Sequence, residues 1–364
     1  MELYEKKNNL VNVGNSILKA YGCSTYHPSL DALDKIFAEN KVPHKKVCFI
    51  LLDGFGTHIQ EVYKKEAPFI YAHTFHRITS VFPPTTVAAT TSLLTGKYPC
   101  ETGWMGWTQK LPMYTTPVTM FPSTFIGGTK ATPISTQKIL KVNYIVDTIN
   151  SKTGYKAGRI MGFEDEAPGT DVFFTNINIA LNKNDFTYAY WTEPDSSLHG
   201  FGVGSEEVGK VVEDLDNKMK KLTEAYKDVL FITLADHGHI NCQYLSIYEH
   251  EDFYACLRNS DYANEPRAAV FYVKKDKLEE FKTLGEKYYG RYFTILSKDT
   301  VKNNKVFGLG RHNRYFDDLI GDYLFIAKDR YCFSQDTTTP GLVSHHAGMT
   351  DDEKYINLGL YNNC

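Results

Sequence analysis

Acidic and imidazole side chains recur in this chain at spacings that suit a divalent cation: Asp53; Asp195 with His199; Asp236 with His237 and His239; and, later, His345 and His346. Carboxylates and neutral imidazoles are the ligands such ions take, and loops just past buried strands hold them rigidly. A single D-x-x-x-H pair or one DHGH turn occurs often by chance. The joint appearance of three such groups after apolar runs points to a metal-dependent centre. A second chemistry-bearing stretch is FPPTTVAATTSLLTG, residues 82–96. Its two prolines end an extended entry, and Ala88 to Leu94 is expected to start a helix. Thr85 and Thr86 then lie near a helix N-terminus, where free backbone N–H groups favour an anion such as phosphate.

The elements that must position these groups are legible as apolar runs. VCFILLDGFG, Val47 to Gly56, is a β-branched-rich run ending on Asp53 and a Gly-x-Gly turn, the pattern of a buried parallel strand with an acid at its carboxyl end. Thr187 to Trp191 and Asp228 to Ala235 are two further strands, delivering EPDSSLHG and ADHGH. Between them, Ser205 to Tyr226 is an amphipathic helix capped by Ser205, with Val208, Val211, Leu215, Met219 and Leu222 on one stripe. Ser29 to Asn40, with Ser29 as N-cap, and Gln137 to Ser151 are expected helices, and Lys156 to Met161 a short strand. This strand–helix–strand alternation implies a mainly parallel sheet.

Residues 248–329 change character. Ala268 to Val273, Leu278 to Tyr288 and Phe293 to Leu296 are expected to form a βαβ unit, followed by the basic loop FGLGRHNR, while Tyr323 to Ala327 would return to the main sheet. This stretch is read as a small inserted subdomain within a catalytic domain spanning 1–364. Lys110 to Pro133 is expected to be an irregular lid or rim, and Trp104 and Trp107 of GWMGW a wall for the ligand.

Composition narrows the partners. A net charge of −3 leaves no broad electrostatic footprint for a nucleic-acid polymer or an anionic membrane, so a phosphate-bearing ligand must be attracted locally. MELYEKKNNL lacks the apolar core of a signal peptide and no stretch is long and apolar enough to span a bilayer, which makes a cytoplasmic location the expectation. Seven scattered cysteines without a C-x-x-C pair argue against a disulfide framework or thiolate metal site.

The ordered set LLDGFG, FPPTTVAATTSLLTGKYP, EPDSSLHGFG, ADHGH and SHHAGMT resembles the alkaline phosphatase superfamily, and more closely its type I phosphodiesterases and nucleotide pyrophosphatases. The resemblance runs from Cys48 to about Glu353. It implies a three-layer α/β sandwich, a mainly parallel central sheet flanked by helices, with the inserted cap at 248–329. It further implies two zinc ions per chain (or manganese or another divalent ion), one held by Asp53, Thr86, Asp236 and His237 and the other by Asp195, His199 and His346. Thr86 would be the nucleophile, and a phosphothreonine the intermediate. Three carboxylates and an alkoxide balance four metal charges, leaving a site able to accept an anionic ester. In the nucleotide pyrophosphatases an asparagine that contacts the phosphoryl group falls where this chain has Trp107, so Arg311 or His312 of the insertion becomes a candidate substitute donor. The implied activity is hydrolysis of a small phosphodiester or pyrophosphate. The alternatives are a phosphomonoesterase, phosphonate hydrolase or phosphomutase of the same superfamily, or a non-catalytic phospho-ligand binder. The sequence does not indicate an oligomeric state.

Overall fold

The computed structural model describes residues 3–128, 130–163, 169–258, 262–334 and 341–361. Six strands form the central sheet, in the order Thr74–Thr79, Tyr355–Tyr361, Val229–Leu234, Lys46–Leu52, Phe186–Trp191 and Ala157–Met161. Lys46–Leu52 is parallel to both of its neighbours, and Tyr355–Tyr361 runs against both of its own. The three middle strands are buried almost throughout, which is why they read as continuous apolar runs instead of alternating ones.

Register explains the site. Leu52 pairs with Trp191 and Leu51 with Leu234, so all three middle strands release the chain at the same end of the sheet. Asp53 follows immediately, Asp236 one residue further on, and Asp195 opens the short helix Asp195–Phe201. Helices flank the sheet. Among them Leu10–Ala20 packs on Thr86–Thr95, and Glu206–Ala225 on Pro68–Ala72. Ser205 caps Glu206–Ala225 by accepting from the Val208 N–H. The buried stripe of that helix runs through Val212, while Val211 is only partly buried.

A second sheet of seven strands is antiparallel at every pairing: Phe293–Ser297, Tyr323–Ala327, Ala268–Phe271, Ala263–Glu265, Thr108–Gln109, Val118–Thr119 and Thr124–Phe125. It has an aromatic core of its own around Phe253, Phe271, Phe281 and Phe325. Two expectations change here. Tyr323–Ala327 does not return to the main sheet; it lies between Ala268–Phe271 and Phe293–Ser297, antiparallel to both. The rim at 110–133 is not wholly irregular, because two of its short strands extend this second sheet.

Three helix boundaries also shift. The expected helix over 137–151 is two helices, Thr136–Ile139 and Ile145–Lys152; the carbonyl of Leu140 is taken by the Trp104 indole N–H at 2.9 Å. Leu30, not Ser29, is the N-cap of Asp31–Glu39, because the Ser29 hydroxyl donates to Asp34 at 2.6 Å. The helix expected from Ala88 already begins at Thr86. Among the described residues no helix is long and apolar enough to cross a membrane.

Candidate active site

Asp53, Asp195 and Asp236 converge because their loops are bonded to one another. The Asp53 N–H donates to Trp191 O, the Asp195 N–H to Asp53 O, and the Gly54 N–H to Asp236 Oδ1, at 3.0, 3.0 and 3.1 Å. The Gly-x-Gly turn after Asp53 is required by space. A Cβ on Gly54, whose φ is +73°, would meet Asp195 and His239 at 3.0 Å, and one on Gly56 would meet Gly238 at 2.6 Å.

Thr86 is the first residue of helix Thr86–Thr95, where the leading N–H groups have no partner within the helix. Its Oγ1 lies 3.3 and 3.4 Å from the Asp53 carboxylate oxygens and 3.2 Å from His237 Nε2. Thr85, the N-cap, does not cap with its side chain; its hydroxyl donates to Glu265 Oε1 at 2.6 Å. Asp53, Asp236 and His237 form one group whose ligand atoms lie within 4.8 Å of one another, and Asp195, His237, His239 and His346 form another.

The sequence assignment left His239 without a role, yet it approaches Asp195 more closely than the other histidines do, at 2.6 Å against 3.5 Å for His199 and 3.8 Å for His346. The His199 and His239 Nδ1 atoms are both engaged by Ser344, at its carbonyl and its hydroxyl, which leaves each Nε2 turned to Asp195. His346, not its neighbour, enters the cluster, since His345 Nε2 bonds the Tyr244 hydroxyl at 2.9 Å. Tyr190 also escaped the sequence reading; its hydroxyl donates to Asp53 Oδ2 from within the TYAYW strand.

The electrostatics suit a cation. Burial, then the neighbouring Asp195, holds Asp53 well above the usual carboxylate range; burial, then Asp53, does the same for Asp236. Burial would raise Asp195 as well, but the imidazoles of His199, His239 and His237 outweigh it and hold that carboxyl low. Burial keeps His346 neutral, well below its ordinary value, and lowers His239 to about 4. Asp236 Oδ2 and His346 Nδ1 are buried without a hydrogen-bond partner. Crowded buried carboxylates, neutral imidazoles and an orphaned carboxylate oxygen are what a divalent cation satisfies, so this donor set fits the metal the sequence implies.

The comparisons with known proteins agree with this arrangement. Residues 47–350 match the family described as type I phosphodiesterase / nucleotide pyrophosphatase. The chain belongs to that family. Its fold is also that of murine ectonucleotide pyrophosphatase / phosphodiesterase 5, solved as an inactive threonine-to-alanine variant with AMP, at 17% identity and a TM-score of 0.65, covering 88% of each chain. The human counterpart matches at 18% identity and a TM-score of 0.66 over 87% of this chain and 88% of that one. Phosphonoacetate hydrolase from Sinorhizobium meliloti 1021, with phosphonoformate, matches at 14% identity and a TM-score of 0.66 over 88% and 90%. The central sheet flanked by helices is therefore the fold these solved structures share with the chain.

Against this family background the remaining sequence-named residues separate. Trp104 is 1% exposed and donates its indole N–H to the Leu140 carbonyl. Trp107 is 44% exposed and meets Phe121 edge-on at 6.3 Å, while its backbone N–H donates to Glu265. Phe121 in turn stacks on the half-exposed Phe163, which abuts Tyr190. Phe121, Phe163, Tyr144 and Arg159 line a cavity of about 140 Å³ that reaches Thr90 on the Thr86 helix. Arg311 and His312 line a different cleft, whose described lining includes none of the acid–imidazole residues.

Proposed function

We propose that this chain hydrolyses phosphodiester or pyrophosphate bonds through a phosphothreonine formed on Thr86. The observation that carries the reading is the place of Thr86 Oγ1, within 3.4 Å of both Asp53 and His237 at the opening of a buried helix. Two zinc ions, held by Asp53, Thr86, Asp236 and His237 and by Asp195, His199 and His346, would supply the Lewis-acid charge that makes a hydroxyl oxygen nucleophilic and draws in the phosphoryl group.

The protein's own groups do the rest. The unpartnered N–H groups of the first helical turn offer donors for the phosphoryl oxygens. Tyr190 fixes the Asp53 carboxylate, and His239 and Ser344 fix Asp195 and the His199 ring, so the ligands need not reorganise. Attack by Thr86 Oγ1 forms the P–Oγ1 bond as the bond to the leaving oxygen breaks, and the departing oxygen takes up a proton. Water then cleaves P–Oγ1 and restores the hydroxyl. The Phe121–Phe163 slot would receive an apolar or planar leaving group, with Arg159 at its wall. AMP in the murine relative supports a nucleotide-like ligand.

A substrate panel on zinc-reconstituted protein tests this: an aryl phosphodiester, an aryl nucleotide ester, a nucleoside pyrophosphate, an aryl monoester and phosphonoacetate. The diesters or pyrophosphate should lead the monoester by about tenfold or more in kcat/KM, a difference of about 1.4 kcal/mol in transition-state binding. Faster monoester or phosphonate turnover, or no turnover of any of them, would overturn the assignment.

A further inference from the structure

A group of basic side chains lies away from the acid–imidazole cluster. Lys138, Lys141, Arg311, His312 and Arg314 line a cleft of about 630 Å³, with Asn313 and Ile139 completing its described lining. All five basic side chains are exposed. Among the described residues no acidic group lines the cleft, and none of the four lysines and arginines has an acidic partner within 4.0 Å. In a chain of net charge −3, four full cations facing one hollow repel one another unless an anion joins them.

The cleft is built on fixed backbone. The Asn313 N–H donates to Cys100 O at 2.7 Å, its Nδ2 to Thr102 O at 3.3 Å, and its Oδ1 accepts from the Tyr315 N–H at 3.0 Å. The Arg314 guanidinium lies over the Tyr315 ring at 4.5 Å. The chain turn between Lys138 and Lys141 is held by the Trp104–Leu140 hydrogen bond. Two arginines and two lysines thus line one cleft, and arginine recognises phosphate through paired N–H donors.

We infer that this cleft binds a linear polyphosphate chain, free or as part of a nucleotide, at a site distinct from the Thr86 centre. The experiment is titration calorimetry at low salt on the full chain carrying Thr86→Ala and Asp195→Ala, with inorganic tripolyphosphate as probe. One binding event is expected, weakening as salt rises. Adding Arg311→Glu and Arg314→Glu should reduce the affinity by about tenfold or more, whereas Arg311→Lys and Arg314→Lys should keep most of it. Lys138→Glu with Lys141→Glu should produce the same loss, with circular dichroism confirming the fold of each variant. Adenosine triphosphate binding like tripolyphosphate would identify the phosphate chain as the ligand, and tighter binding would identify a nucleotide. Absence of binding, affinity untouched by both charge reversals, or binding only of single-stranded RNA or anionic vesicles would overturn the inference.

Discussion

Glu265 illustrates how a single side chain joins the second sheet to the start of the Thr86 helix. One carboxylate oxygen accepts from the Thr85 hydroxyl at 2.6 Å and the Trp107 N–H at 2.7 Å, so it ties the neighbour of Thr86 to Trp107. Burial raises its pKa from 4.5 to about 7. A carboxyl whose folded value lies above its unfolded one contributes stability that is complete below the unfolded value and lost as pH rises through the folded one. In chelator-treated protein, Glu265→Gln should therefore gain stability relative to the parent between about pH 4.5 and about pH 7, by at most roughly 3 kcal/mol. Denaturant titrations whose difference stays constant over that range would contradict this. His239 supports a different expectation. Because it bonds Asp195 directly, His239→Met should weaken the second metal by about 10- to 100-fold, read by chelator competition, with the fold intact. Unchanged affinity would leave His239 a packing residue.

At the scale of elements, the segment carrying His346 is held from the second sheet. Arg267 reaches Glu353 with two hydrogen bonds of 2.6 and 2.7 Å, both side chains fully buried, and Glu353 also accepts from the Gly348 and Thr350 N–H groups. Removing one partner leaves the other charged and buried, so Arg267→Met is expected to cost about 3–5 kcal/mol, measured by denaturant unfolding. A loss below about 1 kcal/mol would mean the pair is incidental. None of this was legible in the sequence, since an arginine and a glutamate 86 positions apart carry no spacing signal. The strand ends were legible, because doubly covered parallel strands must be unbroken apolar runs and the acids interrupt them abruptly. Strands of two residues at 108–109, 118–119 and 124–125 give no periodicity to read. The break in the helix at Leu140 depends on Trp104, which is 36 residues away, and local pattern cannot supply that.

Across the whole molecule, the main sheet brings three carboxylates to one end, and the second sheet reaches the start of the Thr86 helix through Glu265. Asp53 and Asp236 are held far above their ordinary range by burial, and a bound cation would relieve both. Zinc should accordingly raise Tm, and chelation should lower it by several degrees, the shift growing with free metal concentration. A Tm indifferent to metal would argue against the clusters as cation sites. The central claim, that Thr86 becomes covalently phosphorylated, is tested most directly by rapid acid quench of turnover followed by peptide mass spectrometry. The expected result is a phosphoryl adduct on Thr86 in the parent chain, absent from a Thr86→Ala variant that keeps its metal and loses turnover by several orders of magnitude. An adduct on Thr85, Thr90 or Thr91, or a Thr86→Ala variant that turns over at the parent rate, would contradict it.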